Sequence, residues 1–84
     1  MIVYIVCLLC GDKLKTEVFS KEWNALFYVD EMIQIHYNDG DIIYNNELSA
    51  GEVYNKVLKK GDKSYNFIVK KHEVKGYYSE TTVK

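Results

Sequence analysis

The chain contains no arginine and no proline among its 84 residues, and its eleven cationic side chains are all lysines. The planar guanidinium of arginine is the group that best forms paired hydrogen bonds with guanine edges and phosphates, so its absence counts against that kind of recognition. Lysine, asparagine, tyrosine and isoleucine are abundant while alanine is scarce, which indicates an AT-rich genome, bacterial or viral. This bias weakens any functional interpretation of the lysines and tyrosines by number alone.

Residue patterns for catalysis and for membrane insertion are also missing. The five glycines are isolated, so no glycine-rich loop is present to hold a phosphate. The apolar run from Met1 to Cys10 is too short to cross a bilayer and lacks the basic region and cleavage site of a signal peptide. Neither His36 nor His72 has a spacing that couples it to a nucleophile. We therefore expect no catalytic residue, no cofactor, no small-molecule substrate, no membrane partner and a cytoplasmic location.

The two cysteines form the motif Cys7-Leu-Leu-Cys10-Gly, which can supply half of a zinc site that His36 and His72 would complete. The spacing to either histidine does not match a compact zinc finger. Residues i and i+3 of a strand also point to opposite faces. We favour buried, reduced core cysteines and predict no metal site, with a redox Cys-x-x-Cys motif as a weaker alternative.

The composition predicts one small globular domain over residues 1–84. Hydrophobic residues make up 48% and charged residues 27%, which is too apolar for disorder and too charged for a membrane bundle. Residues 1–55 contain three lysines and nine acidic residues, whereas residues 56–84 contain eight lysines and three acidic residues. Either the chain presents a charged patch to a partner, or its two halves neutralise each other.

The first half of the chain predicts a hairpin followed by a helix. Residues 2–10 and 13–19 indicate two strands joined at Gly11-Asp12. Ser20 stands as the N-cap of a helix that should end near Met32. Residues 33–37 then alternate as a strand, with a turn at Asn38-Asp39-Gly40 and a second strand over residues 41–45.

The second half predicts another helix and another hairpin. A helix is expected over residues 49–60, with Ser49 as its N-cap and Gly61 as its left-handed stop. Strands over residues 64–71 and 77–83 complete an α+β fold of order ββαββαββ, with two helices on one face of an antiparallel sheet. A 29-residue offset between Gly11-Asp12 and Gly40-Asp41 suggests a duplicated ββα unit. The alternative is a ferredoxin-like βαββαβ order with strands over residues 2–9, 33–38, 41–45 and 64–71.

The apolar arc of the first helix is wider than one sheet can cover. In the predicted second helix, apolar residues span about 140°, whereas in the first they span about 220°. Trp23 and Phe27 lie at the edge of this arc and form a good anchor pair for a partner. We therefore predict a partner-binding surface formed by Trp23, Phe27, Asp30 and Glu31. The alternative is that a shorter helix, or the C-terminal hairpin folded across it, accounts for the whole arc.

These features favour a small non-enzymatic protein-binding module. Compact chains of this kind often serve phages and mobile elements by occupying a surface of a host enzyme, so we expect an inhibitor that binds a host protein or a second copy of itself as a homodimer. The alternative is a sequence-tolerant single-stranded nucleic-acid binder. Its contacts would come from the basic C-terminal third, namely Lys70, Lys71, Lys75, Tyr77 and Tyr78.

Overall fold

A computed structural model describes residues 1–36 and 42–74 of the chain. These residues form five strands and one helix in the order β1 (Ile2–Cys10), β2 (Lys13–Phe19), α1 (Glu22–His36), β3 (Ile42–Asn45), β4 (Glu52–Lys60) and β5 (Lys63–Glu73). All strand pairs are antiparallel, and the sheet order is β2-β1-β5-β4-β3. The α+β class is confirmed, as are the strands predicted over residues 2–10 and 13–19.

Two tight turns fix the hairpins β1–β2 and β4–β5. Each turn has glycine and aspartate at its centre, and Gly11 and Gly61 both have φ of +61°. No described residue other than glycine has a positive φ. A positive φ at the first central position alone is the pattern of a type II′ turn, which matches the twist of the flanking strands. The predicted hairpin at Gly11-Asp12 is therefore confirmed.

Helix α1 packs on one face of the sheet, against β1, β2 and β5. Strand side chains alternate between the two faces, so every second residue of β1 and β5 points toward the helix. The buried cluster between the two layers consists of Val6, Phe19, Ala25, Val29, Leu58, Phe67 and Val69. This cluster holds α1 in place and fixes which side of the helix faces solvent.

The helix extends further than predicted and begins one residue later. Its first hydrogen bond runs from the Ala25 amide to the Lys21 carbonyl, so Lys21 is the N-cap and Ser20 precedes it. Residues 33–36 continue the helix, so the strand predicted over residues 33–37 is wrong there. Met32 and Ile33 follow Val29 by three and four positions and pack against the same core, which favours the helical period. Residues 37–41, including the predicted turn at Asn38-Asp39-Gly40, lie outside the described residues.

The second predicted helix is wrong, because residues 52–60 form strand β4. The Glu52 amide donates to the Ser49 carbonyl at 3.0 Å, and Gly51 has φ of +84°. This is the geometry of a type II turn, which requires a positive φ at its third residue. Gly61, predicted as a helix stop, has the expected positive φ but lies in the β4–β5 hairpin. The proposed N-cap at Ser49 therefore closes a turn that leads into a strand.

The predicted order ββαββαββ is consequently not confirmed. The described residues contain one helix and have the order ββαβββ. The duplicated ββα unit and the ferredoxin-like alternative both require a second helix, and the structure contains none within residues 1–36 and 42–74. Strand β5 covers the predicted residues 64–71 and extends at both ends, while the strand predicted over residues 77–83 falls outside the described residues.

Candidate protein-binding groove

The solvent-facing edge of α1 carries an aromatic pair. Ala25 and Val29 are fully buried on the sheet side, and Trp23 and Phe27 each precede one of them by two positions, which is about 200° around the helix. The two aromatic side chains are accordingly 57% and 58% exposed. Their ring centroids lie 5.5 Å apart at an angle of 84°, an edge-to-face arrangement that aromatic pairs favour.

This pair forms one wall of a groove between α1 and β4. The groove has a volume of about 340 Å³. Its lining comprises Trp23, Leu26, Phe27 and Asp30 of the helix, together with Tyr54 and Lys56 of the strand. Leu26 and Tyr54 also pack against the hydrophobic core, so the floor of the groove is continuous with the interior. Three of the four residues predicted to bind a partner therefore lie together at one site.

The fourth predicted residue, Glu31, is exposed on α1 but does not line the groove. It lies about 80° around the helix from Trp23, whereas Asp30 lies within about 20° of it. Position on the helix thus separates these two adjacent acidic residues. Asp30 belongs to the site, and Glu31 contributes only to the acidic character of the neighbouring surface.

The groove exists because the sheet is wider than one helix. Neighbouring strands are about 4.8 Å apart, so five strands span more than twice the about 10 Å diameter of an α-helix. Since α1 packs mainly on β1, β2 and β5, the same face of β4 and β3 lacks a helical layer within the described residues. The uncovered strip beside α1 has the width of one further helix.

An internal repeat relates this strip to the part of the sheet that α1 covers. Residues 3–13 and 53–63 are identical at six positions, which are Val3 and Val53, Tyr4 and Tyr54, Leu8 and Leu58, Gly11 and Gly61, Asp12 and Asp62, and Lys13 and Lys63. Because every pairing is antiparallel and the order is β2-β1-β5-β4, a shift of two strands places the first hairpin on the second. Tyr4, Leu8, Tyr54 and Leu58 all face the helical side.

A shift of two strands is about 10 Å, which is also the distance between the axes of packed helices. Moved by that distance, α1 would lie in the groove. The residue of the second hairpin that corresponds to Val6 is Lys56, 50 positions later. Val6 is fully buried under the helix, whereas Lys56 lines the groove. The groove therefore lies over the second hairpin in the place that α1 occupies over the first hairpin. A lysine stands there in place of one buried valine.

Opposite charges stand on the two walls. Asp30 lies on the helical wall. Glu22 and Glu31 are exposed elsewhere on α1 and do not line the groove. On the strand wall, the ammonium of Lys56 lies 5.3 Å from the centre of the Tyr54 ring, a distance typical of a cation–π contact. An occupant of the groove would therefore meet an acidic side, a basic side and an aromatic floor between them.

The residues predicted for the alternative function are only partly described. Lys70 and Lys71 are both exposed, but they are consecutive in β5 and so point to opposite faces of the sheet. Lys75, Tyr77 and Tyr78 lie outside the described residues. The two described lysines thus do not share one surface, and nucleic-acid binding stays a prediction.

Cys7 and Cys10 are free thiols on opposite faces of β1. Cys7 lies beside Ile68, whereas Cys10 lies beside Tyr65, which packs against the core. Within residues 1–36 and 42–74, His, Cys, Asp and Glu side chains form no cluster of three or more that could hold a metal ion.

Comparison of the chain with protein-family models, with curated proteins and with solved structures found no match. In the part of the chain that the structure describes, no helix combines the length and apolar character needed to span a membrane. Function is therefore inferred from the groove itself.

Proposed function

We propose that this chain is a non-enzymatic protein-binding module that takes an amphipathic helix of a partner protein into the groove between α1 and β4. The observation that carries the proposal is the exposed Trp23–Phe27 pair beside a strip as wide as one helix. Helix-in-groove binding is a common mode of recognition, and aromatic anchors often contribute most of its free energy.

The exposed aromatic area is large enough to drive association. A Trp or Phe side chain has about 200–250 Å² of surface, so the exposed fractions of 57% and 58% leave about 130 Å² on each. At about 25 cal/mol per Å², full burial of the pair contributes about 6 kcal/mol before the entropic costs of association. The remaining contacts with Tyr54 and Leu26 supply shape complementarity.

The charges on the walls specify the chemistry of the partner. A helix seated in the groove would place one flank beside Asp30 and the other beside Lys56. We therefore expect an apolar stripe on the partner helix, with a basic residue on the α1 side and an acidic residue on the β4 side. A second copy of α1 fits less well, because its own Asp30 and Glu31 would approach the acidic wall.

We extend the proposal to inhibition of a host enzyme, in which occupation of a surface helix would block the enzyme without chemistry. The two free thiols, Cys7 and Cys10, support a reducing compartment such as the cytoplasm. Inhibition is tested by assaying the captured partner's own activity with and without this chain.

The direct test is quantitative capture from the native host with three forms of the chain as bait. These are the wild type, the double variant Trp23→Ala/Phe27→Ala, and the control Ile35→Ala. Ile35 is also on α1 and is 71% exposed, but it does not line the groove. We expect a protein that the wild type and the control retain and the double variant loses.

The affinity of the purified partner is then measured by titration calorimetry. Trp23→Ala should raise Kd about 30-fold or more, as expected for an anchor residue, while Ile35→Ala should change it by less than about 3-fold. Lys56→Glu should also weaken binding. Equal affinity for all variants, with circular dichroism showing them folded, would contradict the proposed site.

A further inference from the structure

Helix α1 runs toward the end of the sheet that carries both tight turns. We call this the turn end and define it by residues 10–13 and 60–63, which the pairing of Cys10 with Tyr65 brings to the same end. The helix follows Phe19, the last residue of β2, and so begins at the opposite end. It then packs across β1, β2 and β5, and the next strand starts with Ile42 beside Lys59, close to the turn end.

A helix placed in the groove by the internal repeat has the same direction as α1. The shift of two strands moves the first hairpin sideways without turning it, because β1 and β4 are both antiparallel to β5. The helical side of β4 from Tyr54 to Lys60 is about 20 Å long, which is the length of a helix of about 13 residues. Such a helix would begin beside Trp23, in the first turn of α1, and would end over the turn end.

Two lysines stand where that helix would end. Lys60 follows the buried Leu58 by two positions in β4, and Lys63 precedes Tyr65, which packs against the core, by two positions in β5. Because strand side chains alternate, both lysines point to the side of the sheet that carries α1. They are direct partners across the two strands, and both are exposed.

The helical side of β4 differs from that of β1 at two positions. Tyr54 and Leu58 keep the residues of the first hairpin, whereas Lys56 and Lys60 stand where β1 has a valine and a cysteine, 50 positions earlier. The two ammonium groups of Lys60 and Lys63 also lie opposite each other, an arrangement of like charges that destabilises an antiparallel pair. A negative group of an occupant would relieve this repulsion.

The end of a helix that carries such a negative charge is its C-terminus. The last four carbonyl groups lack intrahelical partners, and the helix dipole adds about half a negative charge there. Lysine ammonium groups donate to these carbonyls and to acidic side chains of the last turn. A helix in the reverse direction would instead bring its positive amide end against both lysines. Two parallel helices repel weakly through their dipoles, but salt screens this effect.

We infer that the partner helix binds parallel to α1, with its N-terminus beside Trp23 and its C-terminal turn against Lys60 and Lys63. The inference rests on the proposed function, because it gives the direction of the helix in the same groove. It also adds to the chemistry of the partner. Lys56 and Lys60 are about 13 Å apart along β4, which is about nine residues of helix. The partner helix therefore carries two acidic groups about nine positions apart, the second in its last turn.

The test uses a synthetic peptide with the sequence of residues 22–36 and a free C-terminal carboxylate. Three substitutions in the peptide, Trp23→Gln, Phe27→Gln and Glu31→Lys, remove the exposed aromatic side chains and the negative charge on the side nearest Asp30. A nitroxide is attached to a cysteine added at either end, and the two ends are about 22 Å apart in the helix. The protein carries 5-fluorotryptophan at position 23, its only tryptophan.

We expect the ¹⁹F resonance of the protein to shift as the peptide is added. The N-terminal nitroxide should broaden the shifted resonance beyond detection, and the C-terminal nitroxide should leave its width unchanged. Both measurements use the protein without substitution, so they decide the direction even if a variant fails to fold.

Peptide affinity measured by calorimetry tests the lysines. Lys60→Glu should weaken binding about 10-fold, whereas Lys59→Glu should change it by less than about 2-fold. The control makes the same change in net charge at the adjacent position, on the opposite face of β4. Replacing the terminal carboxylate of the peptide by an amide should weaken binding to the wild type but not to Lys60→Glu.

The possible failures are distinguishable. Broadening by the C-terminal nitroxide, with the shift intact, would overturn the direction and leave the groove as the binding site. Equal affinities of folded Lys60→Glu and Lys59→Glu would overturn the role of the turn end. A resonance that does not respond to the peptide up to about 1 mM would contradict the groove as a helix site, and the direction with it.

Discussion

Replacing Leu58 with alanine should destabilise the protein far more than the same change at its neighbour Val57. Leu58 is 1% exposed within the core, whereas Val57 lies on the opposite face of β4 and keeps part of its exposure. Truncation of a fully buried leucine costs about 2–5 kcal/mol, and truncation of a half-buried valine about 1 kcal/mol or less. In a helix over residues 49–60, both side chains would face the sheet and both losses would be large.

For 84 residues the whole free energy of unfolding is about 4–13 kcal/mol. The loss of about 2–5 kcal/mol in Leu58→Ala should therefore lower Tm by about 8–40 °C, at about 4–8 °C per kcal/mol for a domain of this size. Urea unfolding followed by far-UV circular dichroism measures the two free energies, and equal m-values confirm that the transitions are comparable. Equal losses of unfolding free energy in Leu58→Ala and Val57→Ala would refute the strand register that places β4 beside the groove.

Three further changes test local features. The Tyr28 hydroxyl is buried without a hydrogen-bond partner among the described residues. Tyr28→Phe should therefore raise the free energy of unfolding by about 1 kcal/mol in urea titrations. A decrease in the free energy of unfolding would contradict this prediction. Gly51→Ala should cost about 1 kcal/mol or more by the same assay, because φ of +84° is strained for alanine; no loss would argue against the type II turn. The hydrogen bond from the Ser49 amide lowers the pKa of Glu52. The stabilisation that this hydrogen bond gives the folded protein is therefore complete at neutral pH, and it is lost as pH falls through the lowered pKa. The stability gap between wild type and Glu52→Gln should close in acid, and a gap that is independent of pH would exclude this cause.

Local patterns predicted the elements whose stabilising contacts are close in sequence. The hairpin at Gly11-Asp12 follows from turn chemistry, and the start of α1 follows, to within one residue, from the serine and the acidic first turn that precede its apolar residues. The exposure of Trp23 and Phe27 also follows from the width of the apolar arc, because a helix on a flat sheet buries only one side.

The sequence of β4 fits both the residue spacing of a helix and the residue preferences of a strand. Val53, Tyr54, Val57 and Leu58 recur with helical spacing, yet three of the four are also β-branched or aromatic. The spacing Ser49-x-x-Glu52 is typical of a helix N-terminus. The structure contains the corresponding hydrogen bond, in which the Ser49 amide donates to the Glu52 carboxylate at 2.7 Å. Pairing with β5 and the positive φ at Gly51 decide in favour of a strand.

The strand side of the groove could not be predicted without the sheet order. Tyr54 and Lys56 come near Trp23 only because β5 lies between β1 and β4, a non-local arrangement. The repeat at an offset of 50 residues was the available signal, since it relates Tyr54 to Tyr4 beneath the helix. The 29-residue offset between Gly11-Asp12 and Gly40-Asp41 does not relate these residues.

The most direct measurement of the central claim uses Trp23 as a reporter, because it is the only tryptophan in the chain. Incorporating 5-fluorotryptophan gives one ¹⁹F resonance at the groove, which is observed while the captured partner is titrated. We predict that this resonance shifts or is replaced in step with complex formation, and that solvent-induced shifts on the fluorine disappear. A complex that forms while the resonance stays unchanged would contradict the claim that the α1–β4 groove is the binding site.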